Sequence, residues 1–158
     1  MDWWDDRQLT LPNSTRSLKI TCTPCQHFTG RSVTDRFKTL WASWAVEAFD
    51  VVEGSLTCRS KICPITATSE QMHDEEYLQN LERCPAFEVE IGQKLGPFDL
   101  SLISIGAYTP RWFMSPIHCS PEDAVRVHED VKSRQSIGMH WGTWVLTTEE
   151  VMEPPRLL

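Results

Sequence analysis

An α/β fold built as one domain is predicted from this sequence of 158 residues. Residues 18–22 alternate apolar and polar side chains, which is typical of a strand with one buried face. An apolar strand-like run covers residues 98–106, a helix signal begins at Ser120, and a short strand candidate follows at residues 136–140. A strand, loop, helix and strand in this order indicate a β-α-β unit, in which functional residues lie on the loops at strand ends.

The helix signal is the strongest local pattern in the chain. Ser120 is a favourable N-cap, and Pro121 fits the first helical position. The acidic residues that follow oppose the positive end of the helix dipole. Ala124 and Val127 then fall on one face, so this helix is predicted to pack on the sheet and to end near Ser133.

The other elements are predicted from weaker patterns. Residues 39–46 and 49–52 are interpreted as two strands, and the apolar face of the first is assigned to Leu40, Ala42, Trp44 and Val46. A short helix is predicted after Pro85. Residues 55–83 show no sustained period, so a loop or partly disordered insert is expected there.

The bulk composition excludes several classes of protein. The sequence is 41% hydrophobic with a net charge of −7, which fits a globular protein and disfavours broad binding to nucleic acid. No run approaches the roughly 20 apolar residues of a membrane span. The acidic, aromatic start differs from a signal peptide, so a cytoplasmic protein with reduced thiols is expected.

Cysteine, tryptophan and histidine leave alternatives open. Cys22 and Cys25 form a C-x-x-C, which is interpreted either as two incidental thiols or as a redox or zinc-binding pair. The seven tryptophans fit an aromatic core or the apolar mouth of a lipid site. His27, His118 and His140 occupy strand-end or loop positions, but a zinc site needs three or four converging ligands.

Several segments, in order along nearly the whole chain, resemble the N-acyl-phosphatidylethanolamine-hydrolysing phospholipases D of the metallo-β-lactamase superfamily. The longest shared word is IGAYTPRWFM at residues 105–114. The other matching segments are residues 23–31, 40–44, 84–87, 96–99, 118, 121–125, 140–143 and 153–155.

The resemblance implies an αββα sandwich with two zinc ions at one edge. The family cleaves the phosphodiester of N-acylated phosphatidylethanolamine, giving an N-acylethanolamine and phosphatidic acid. Two metal ions suit this reaction because they acidify a water and neutralise phosphate charge. By resemblance, His27 and His140 are metal ligands, Arg31 and Arg111 are candidates to contact a substrate phosphate, and His118 is a candidate for substrate contact or proton transfer.

The sequence also departs from the family pattern. The His-x-His-x-Asp-His motif that supplies most zinc ligands is absent from these residues, and Ser55 stands where the family has a bridging aspartate. We therefore expect residues 1–158 to be the C-terminal portion of an αββα sandwich, which is incomplete here. An insert without a recognisable secondary-structure pattern is expected near residues 55–83. Zinc binding by this chain is doubtful on these grounds.

The sequence is compatible with three functions. The chain is a working zinc phospholipase D, a catalytically incomplete product, or a non-catalytic partner that associates with a complete homologue or another chain. Phospholipid or a membrane surface is the partner that the family implies, and self-association through an exposed sheet is an added possibility. The expected location is cytoplasmic, with peripheral contact to membranes.

Overall fold

A mixed six-stranded sheet organises the chain. The computed structural model describes residues 1–10, 12–25, 34, 41–52, 55–65, 86–115 and 117–158. The strands lie in sequence order across the sheet: β1 (Asp6–Thr10), β2 (Arg16–Pro24), β3 (Ala42–Val52), β4 (Ser55–Ile65), β5 (Leu100–Ser104) and β6 (Ser136–Met139). The first four strands pair antiparallel, whereas β4, β5 and β6 run parallel.

Four short helical segments accompany the sheet within the described residues. They are α1 (Ala86–Gly92, of π type), α2 (Arg111–Met114), α3 (Pro121–Asp130) and α4 (Glu153–Arg156). The predicted α/β class is confirmed. In the part of the chain that the structure describes, the strands form one sheet. No helix there is long and apolar enough to cross a bilayer.

The β5–α3–β6 unit confirms the predicted β-α-β segment. Ser120 and Asp123 form a reciprocal capping box at the start of α3, which satisfies backbone donors that the first turn leaves unpaired. Ala124 and Val127 are buried against a core that also contains Phe87 and Phe98. The helix ends at Asp130, three residues before the predicted end near Ser133.

Strand β3 corrects two predictions. The expected strands at 39–46 and 49–52 are one strand from Ala42 to Val52, and residues 35–40 lie outside the described part of the chain. Its buried face carries Ser43, Ala45 and Glu47, whereas Trp44, assigned to the buried face, is 37% exposed. Hydrophobicity gave the wrong face because the buried face carries the charged Glu47, whose carboxylate is paired with side chains of the neighbouring strands.

That buried charge belongs to Glu47, which lies between lysines of the two adjacent strands. Its carboxylate oxygens are 3.6 Å from the Lys19 ammonium and 3.3 Å from the Lys61 ammonium. Burial alone would lower the pKa of Lys19, but hydrogen bonding and attraction from Asp6 and Glu47 outweigh it and raise the pKa. Paired in this way, a carboxylate is tolerated where an isolated one would be costly.

The prediction of a loop or partly disordered insert at residues 55–83 is wrong for residues 55–65. Residues 55–65 form β4, which pairs antiparallel with β3 and parallel with β5. Strand β4 lacked a visible period because polar Thr, Cys, Ser and Lys side chains recur along it. Pairing with strands on both sides holds it in the sheet. Residues 66–83 lie outside the described part of the chain.

Candidate functional site

His140 lies directly after β6, where the backbone turns out of the sheet. Its φ is 60°, in the left-handed region that a side chain makes unfavourable, and the residue is exposed. The turn is packed against Gly106 at the end of β5: a Cβ atom placed there would lie 2.3 Å from the carbonyl oxygen of His140. The two strand ends can approach this closely only because residue 106 has no side chain.

His118 lies in the connection between α2 and α3. Its backbone N–H donates to the carbonyl of Met114 at 2.9 Å, which keeps the connection tight against the end of α2. The His118 and His140 ring centroids are 5.4 Å apart, and the ring planes are inclined by 41°. The structure therefore brings together two of the predicted site residues, although 21 positions separate them in the sequence.

Arg111 is engaged with the start of α3. Its Nη1 and Nη2 atoms donate to the two carboxylate oxygens of Asp123, at 3.0 and 3.2 Å. Nη1 also contacts the Ser120 hydroxyl and lies 3.7 Å from Glu122. This paired geometry offsets much of the guanidinium charge. Contact of Arg111 with a substrate phosphate stays a prediction.

The other predicted site residues are placed as follows. His27 and Arg31 lie outside the described residues. Ser55, which replaces the family's bridging aspartate, begins β4, faces Val52 of β3 in the register and is exposed. A hydroxyl at that position brings no negative charge to a metal site.

Two glutamates of the C-terminal segment hold the loop after β5, a feature that the sequence patterns did not identify. The Glu149 carboxylate accepts hydrogen bonds from the backbone N–H of Ala107 at 2.7 Å and of Thr109 at 3.2 Å, and from the Thr147 hydroxyl at 2.7 Å. Glu153 accepts from the buried Tyr108 hydroxyl at 2.5 Å. The shared word at 153–155 was the one signal in the sequence that this segment has a role.

These hydrogen bonds set the charge state of Glu149. Burial by itself raises the pKa of its carboxyl, but the Thr147 hydroxyl and the backbone N–H groups of Thr109 and Ala107 stabilise the ionised form and leave the pKa lowered. Burial and the adjacent Glu153 raise the pKa of Tyr108, so its hydroxyl stays protonated and keeps donating.

Glu149→Gln is expected to destabilise the folded chain by about 1 kcal/mol at neutral pH, since one charge-assisted acceptor of a partly exposed group is lost. A lowered pKa in the folded state gives stability that is present above the unfolded value of about 4.5 and is lost as pH falls through the folded pKa. Urea unfolding from pH 7 to pH 3 should therefore show a shallower decline for the variant.

Glu150→Gln is the matched control, because the Glu150 side chain is 66% exposed and makes only a surface ion pair with Arg156. Its unfolding free energy should change by less than about 0.5 kcal/mol. Equal effects of the two substitutions would contradict a specific role for Glu149.

A cleft of about 180 Å³ opens beside His140. The loop after β5 forms one wall, and the C-terminal segment forms the other. Trp144, Val145 and Leu146 on its rim are 77%, 76% and 76% exposed. Trp112 and Phe113 of α2 add a second exposed aromatic pair, with ring centroids 5.7 Å apart. Both apolar groups flank the two histidines in the sequence.

The described residues do not fit the dinuclear zinc centre that the resemblance implied. No group of three or more histidine, cysteine, aspartate or glutamate side chains converges among them as a metal centre of that kind requires. His140 is the one predicted metal ligand that the structure places, and its ring neighbour is His118.

Comparison with known proteins gives matches over most of the chain. Residues 83–141 match the family described as the beta-lactamase superfamily domain. The N-acyl-phosphatidylethanolamine-hydrolysing phospholipase D 1 of Caenorhabditis elegans is 37% identical over 140 residues, covering 88% of this chain and 33% of the relative. The mitochondrial N-acyl-phosphatidylethanolamine-hydrolysing phospholipase D of Saccharomyces cerevisiae is 30% identical over 159 residues, covering 100% and 29% respectively.

Two further proteins match most or all of this chain. An uncharacterised protein of Mycobacterium tuberculosis is 32% identical over 161 residues, covering all of this chain and 35% of the relative. A solved metallo-beta-lactamase superfamily protein of Thermotoga maritima aligns with a TM-score of 0.38 and 15% identity, over 88% of this chain and 51% of that one. The chain spans about a third of the length of the curated relatives named here.

The sequence motifs and the sequence matches point to the same family of proteins. The matches to the phospholipases D extend over nearly all of the residues in which those motifs lie. The superfamily match covers the helix α3 and both histidines of the candidate site. The resemblance is thus confirmed: over most of its length this chain is similar to the N-acyl-phosphatidylethanolamine-hydrolysing phospholipases D, and its residues 83–141 match the beta-lactamase superfamily domain.

Proposed function

We propose that this chain corresponds to a portion of a zinc-dependent hydrolase that cleaves the phosphodiester of N-acyl-phosphatidylethanolamine. We also propose that these 158 residues alone are catalytically incomplete. The observation that carries the proposal is the 37% identity over 88% of the chain to a relative named for this reaction. Incompleteness is proposed because the His-x-His-x-Asp-His motif is absent from the sequence and Ser55 replaces the bridging aspartate.

The contribution of this chain to such a reaction is binding and proton handling. A neutral imidazole accepts a proton and an imidazolium donates one to an oxygen of a phosphate group or of a leaving alcohol. His118 is half-buried, with its ring centroid 5.4 Å from that of the exposed His140, and we propose that it acts in this way on a phosphodiester bound near His140. Arg111 is proposed to add positive charge near the same place, although its main partner here is Asp123.

The proposed partner is a phospholipid surface. The exposed side chains of Trp112, Phe113 and Trp144 are of the type that partition to the interface between lipid headgroups and acyl chains. They flank the histidines in sequence, so a lipid docked on them would bring its headgroup towards the site. We propose a cytoplasmic protein with peripheral membrane contact; the yeast relative is named as mitochondrial.

The test is an assay of N-acyl-phosphatidylethanolamine hydrolysis in vesicles with added zinc. The purified chain is expected to release no N-acylethanolamine above the blank, while the complete Caenorhabditis elegans relative turns over under the same conditions. Zinc-dependent release by this chain that disappears in His140→Ala would show that the chain is a complete enzyme and would contradict the proposed incompleteness.

A second candidate function is a non-catalytic partner of a complete homologue. It is favoured by the two outer strands of the described sheet: every residue of β1 is exposed, and Ile137 of β6 is 55% exposed. Open strand edges and exposed apolar side chains favour association. In the same assay, a saturable change in the relative's rate on adding this chain would support this candidate, and an unchanged rate would exclude it.

A further inference from the structure

We propose that the cavity between α3 and the strands β5 and β6 binds one linear alkyl molecule that carries an uncharged hydroxyl or amide group at one end. The cavity lies on the sheet face that α3 covers. It shares none of its described lining residues with the cleft beside His140, and no part of the proposed reaction uses it. The inference therefore holds whether or not the chain hydrolyses a phosphodiester.

The inner walls of the cavity are apolar. Ile103 and Ile105 of β5 line it from the sheet and are 2% and 1% exposed. Ala124 lines it from α3 and offers only a methyl group, while Gly138 of β6, the register partner of Ile103, offers no side chain at all. A space of about 260 Å³ remains between the helix and the sheet.

One end of the cavity carries hydrogen-bonding groups. The Nδ1 atom of the half-buried His128 lies 2.8 Å from the Ser136 hydroxyl oxygen. An imidazole and a hydroxyl can each donate or accept a hydrogen bond, so they suit the head of an alcohol or an amide. The described lining residues include no lysine, arginine, aspartate or glutamate. A carboxylate or ammonium head would therefore be buried without an oppositely charged side chain, which is costly.

The size and the opening of the cavity fit a single alkyl chain. An apolar cavity of about 150 Å³ is enough to bind benzene, so 260 Å³ accommodates roughly eight to ten carbon atoms. Sites for drug-sized ligands begin at about 300 Å³, which excludes a two-chain lipid. Val125 and Leu158 line the opening and are 47% and 61% exposed. A bound chain would remove part of this apolar surface from water, which favours binding.

The test is calorimetric titration of the full chain with 1-octanol at about pH 8, with sodium octanoate as the charged probe of equal chain length. We expect one 1-octanol molecule per chain with a Kd of about 0.1–1 mM, and at least roughly tenfold weaker binding of octanoate. Equal binding of the two probes would contradict the uncharged head group. Absence of saturable 1-octanol binding would overturn the proposal.

Substitutions locate the bound molecule. Ala124→Leu fills the cavity from the helix and Val125→Trp covers its opening, so each should weaken 1-octanol binding by about tenfold or more. Val89→Trp is the matched control, because Val89 is 50% exposed on α1 and does not line the cavity. It should leave the affinity unchanged. His128→Phe keeps a ring but removes the hydrogen bond, and a loss of about fivefold is expected.

NMR spectra of the parent chain give a readout that needs no substitution. The methyl signals of Ala124 and Ile103 should shift on addition of 1-octanol, whereas that of Ala45, buried in the same core but outside the cavity lining, should not. Unchanged affinity in both occluding variants, each shown to be folded by circular dichroism, would overturn the proposal. Equal weakening in Val89→Trp would assign the binding to unspecific adsorption and overturn it as well.

Discussion

Asp123→Ala is expected to lower the free energy of unfolding by about 3 kcal/mol, the cost of removing one partner from a largely buried ion pair. The Asp123 side chain is 7% exposed and its Arg111 partner is 22% exposed, so water would poorly replace the lost carboxylate. The same change removes half of the capping box at the start of α3. Urea unfolding at neutral pH measures the loss.

Glu122→Ala is the matched control for this prediction. Glu122 is the neighbouring carboxylate in the same helical turn, but its side chain is 77% exposed and lies 3.7 Å from Arg111. A change below about 0.5 kcal/mol is expected, as for other surface ion pairs. If both variants lose the same stability, the burial of the Arg111–Asp123 pair is not what stabilises this region.

The Asp123 substitution also tests how His118 is positioned. Arg111 and Asp123 connect α2 to α3 across the segment that carries His118. Losing the connection should broaden or shift the His118 ring signals in NMR spectra, whereas Glu122→Ala should leave them in place. Unchanged His118 signals in a folded Asp123→Ala chain would show that the Met114 hydrogen bond alone suffices.

Gly106→Ala is expected to cost about 2 kcal/mol through overpacking. The added Cβ would meet the His140 carbonyl oxygen at 2.3 Å and the Trp141 Cα at 3.0 Å, and both are backbone atoms that cannot rotate away. The turn after β6 must then move, and His140 with it. Urea unfolding reports the cost, and a shift of the His140 ring signals in NMR spectra reports the displacement of the ring.

Ala107→Gly, one residue further on, should not destabilise the chain. Ala107 has a φ of 62°, which costs an alanine about 1 kcal/mol and a glycine almost nothing. Relief of this strain offsets the greater freedom that glycine has in the unfolded chain, so unfolding stability should be unchanged or slightly increased. A loss in Ala107→Gly as large as that in Gly106→Ala would mean that the loop tolerates no change, and that the close contact at Gly106 is not the cause.

Much of the β5–α3–β6 unit followed from local chemistry. Ser120, Pro121 and Asp123 specify a helix start through their own hydrogen-bonding and backbone preferences, which hold wherever the segment lies. Their placement in the structure agrees with the prediction. The family motifs at residues 105–114 and 140–143 could also be recognised from the sequence, because they depend on residue identity and not on packing.

Strands β3 and β4 were harder to predict for a physical reason. A strand placed between two others can bury a polar side chain when its neighbours supply the partner, as Lys19 and Lys61 do for Glu47. Hydrophobic alternation then gives the wrong face, as it did for Trp44. The partners are 28 and 14 residues away from Glu47 in the sequence, outside any local window.

The sequence by itself determined the α/β class, the capped helix, the family and the identity of the candidate histidines. The tertiary structure alone decided that β4 joins the sheet and that Arg111 pairs with Asp123. It also decided that Glu149 and Glu153 accept hydrogen bonds from the loop after β5, and that the ring centroids of His118 and His140 lie 5.4 Å apart. Helix caps and sequence motifs depend on residues that are neighbours in the sequence. These other features arise where segments distant in the chain meet, and only their packing sets which charges pair and which rings converge.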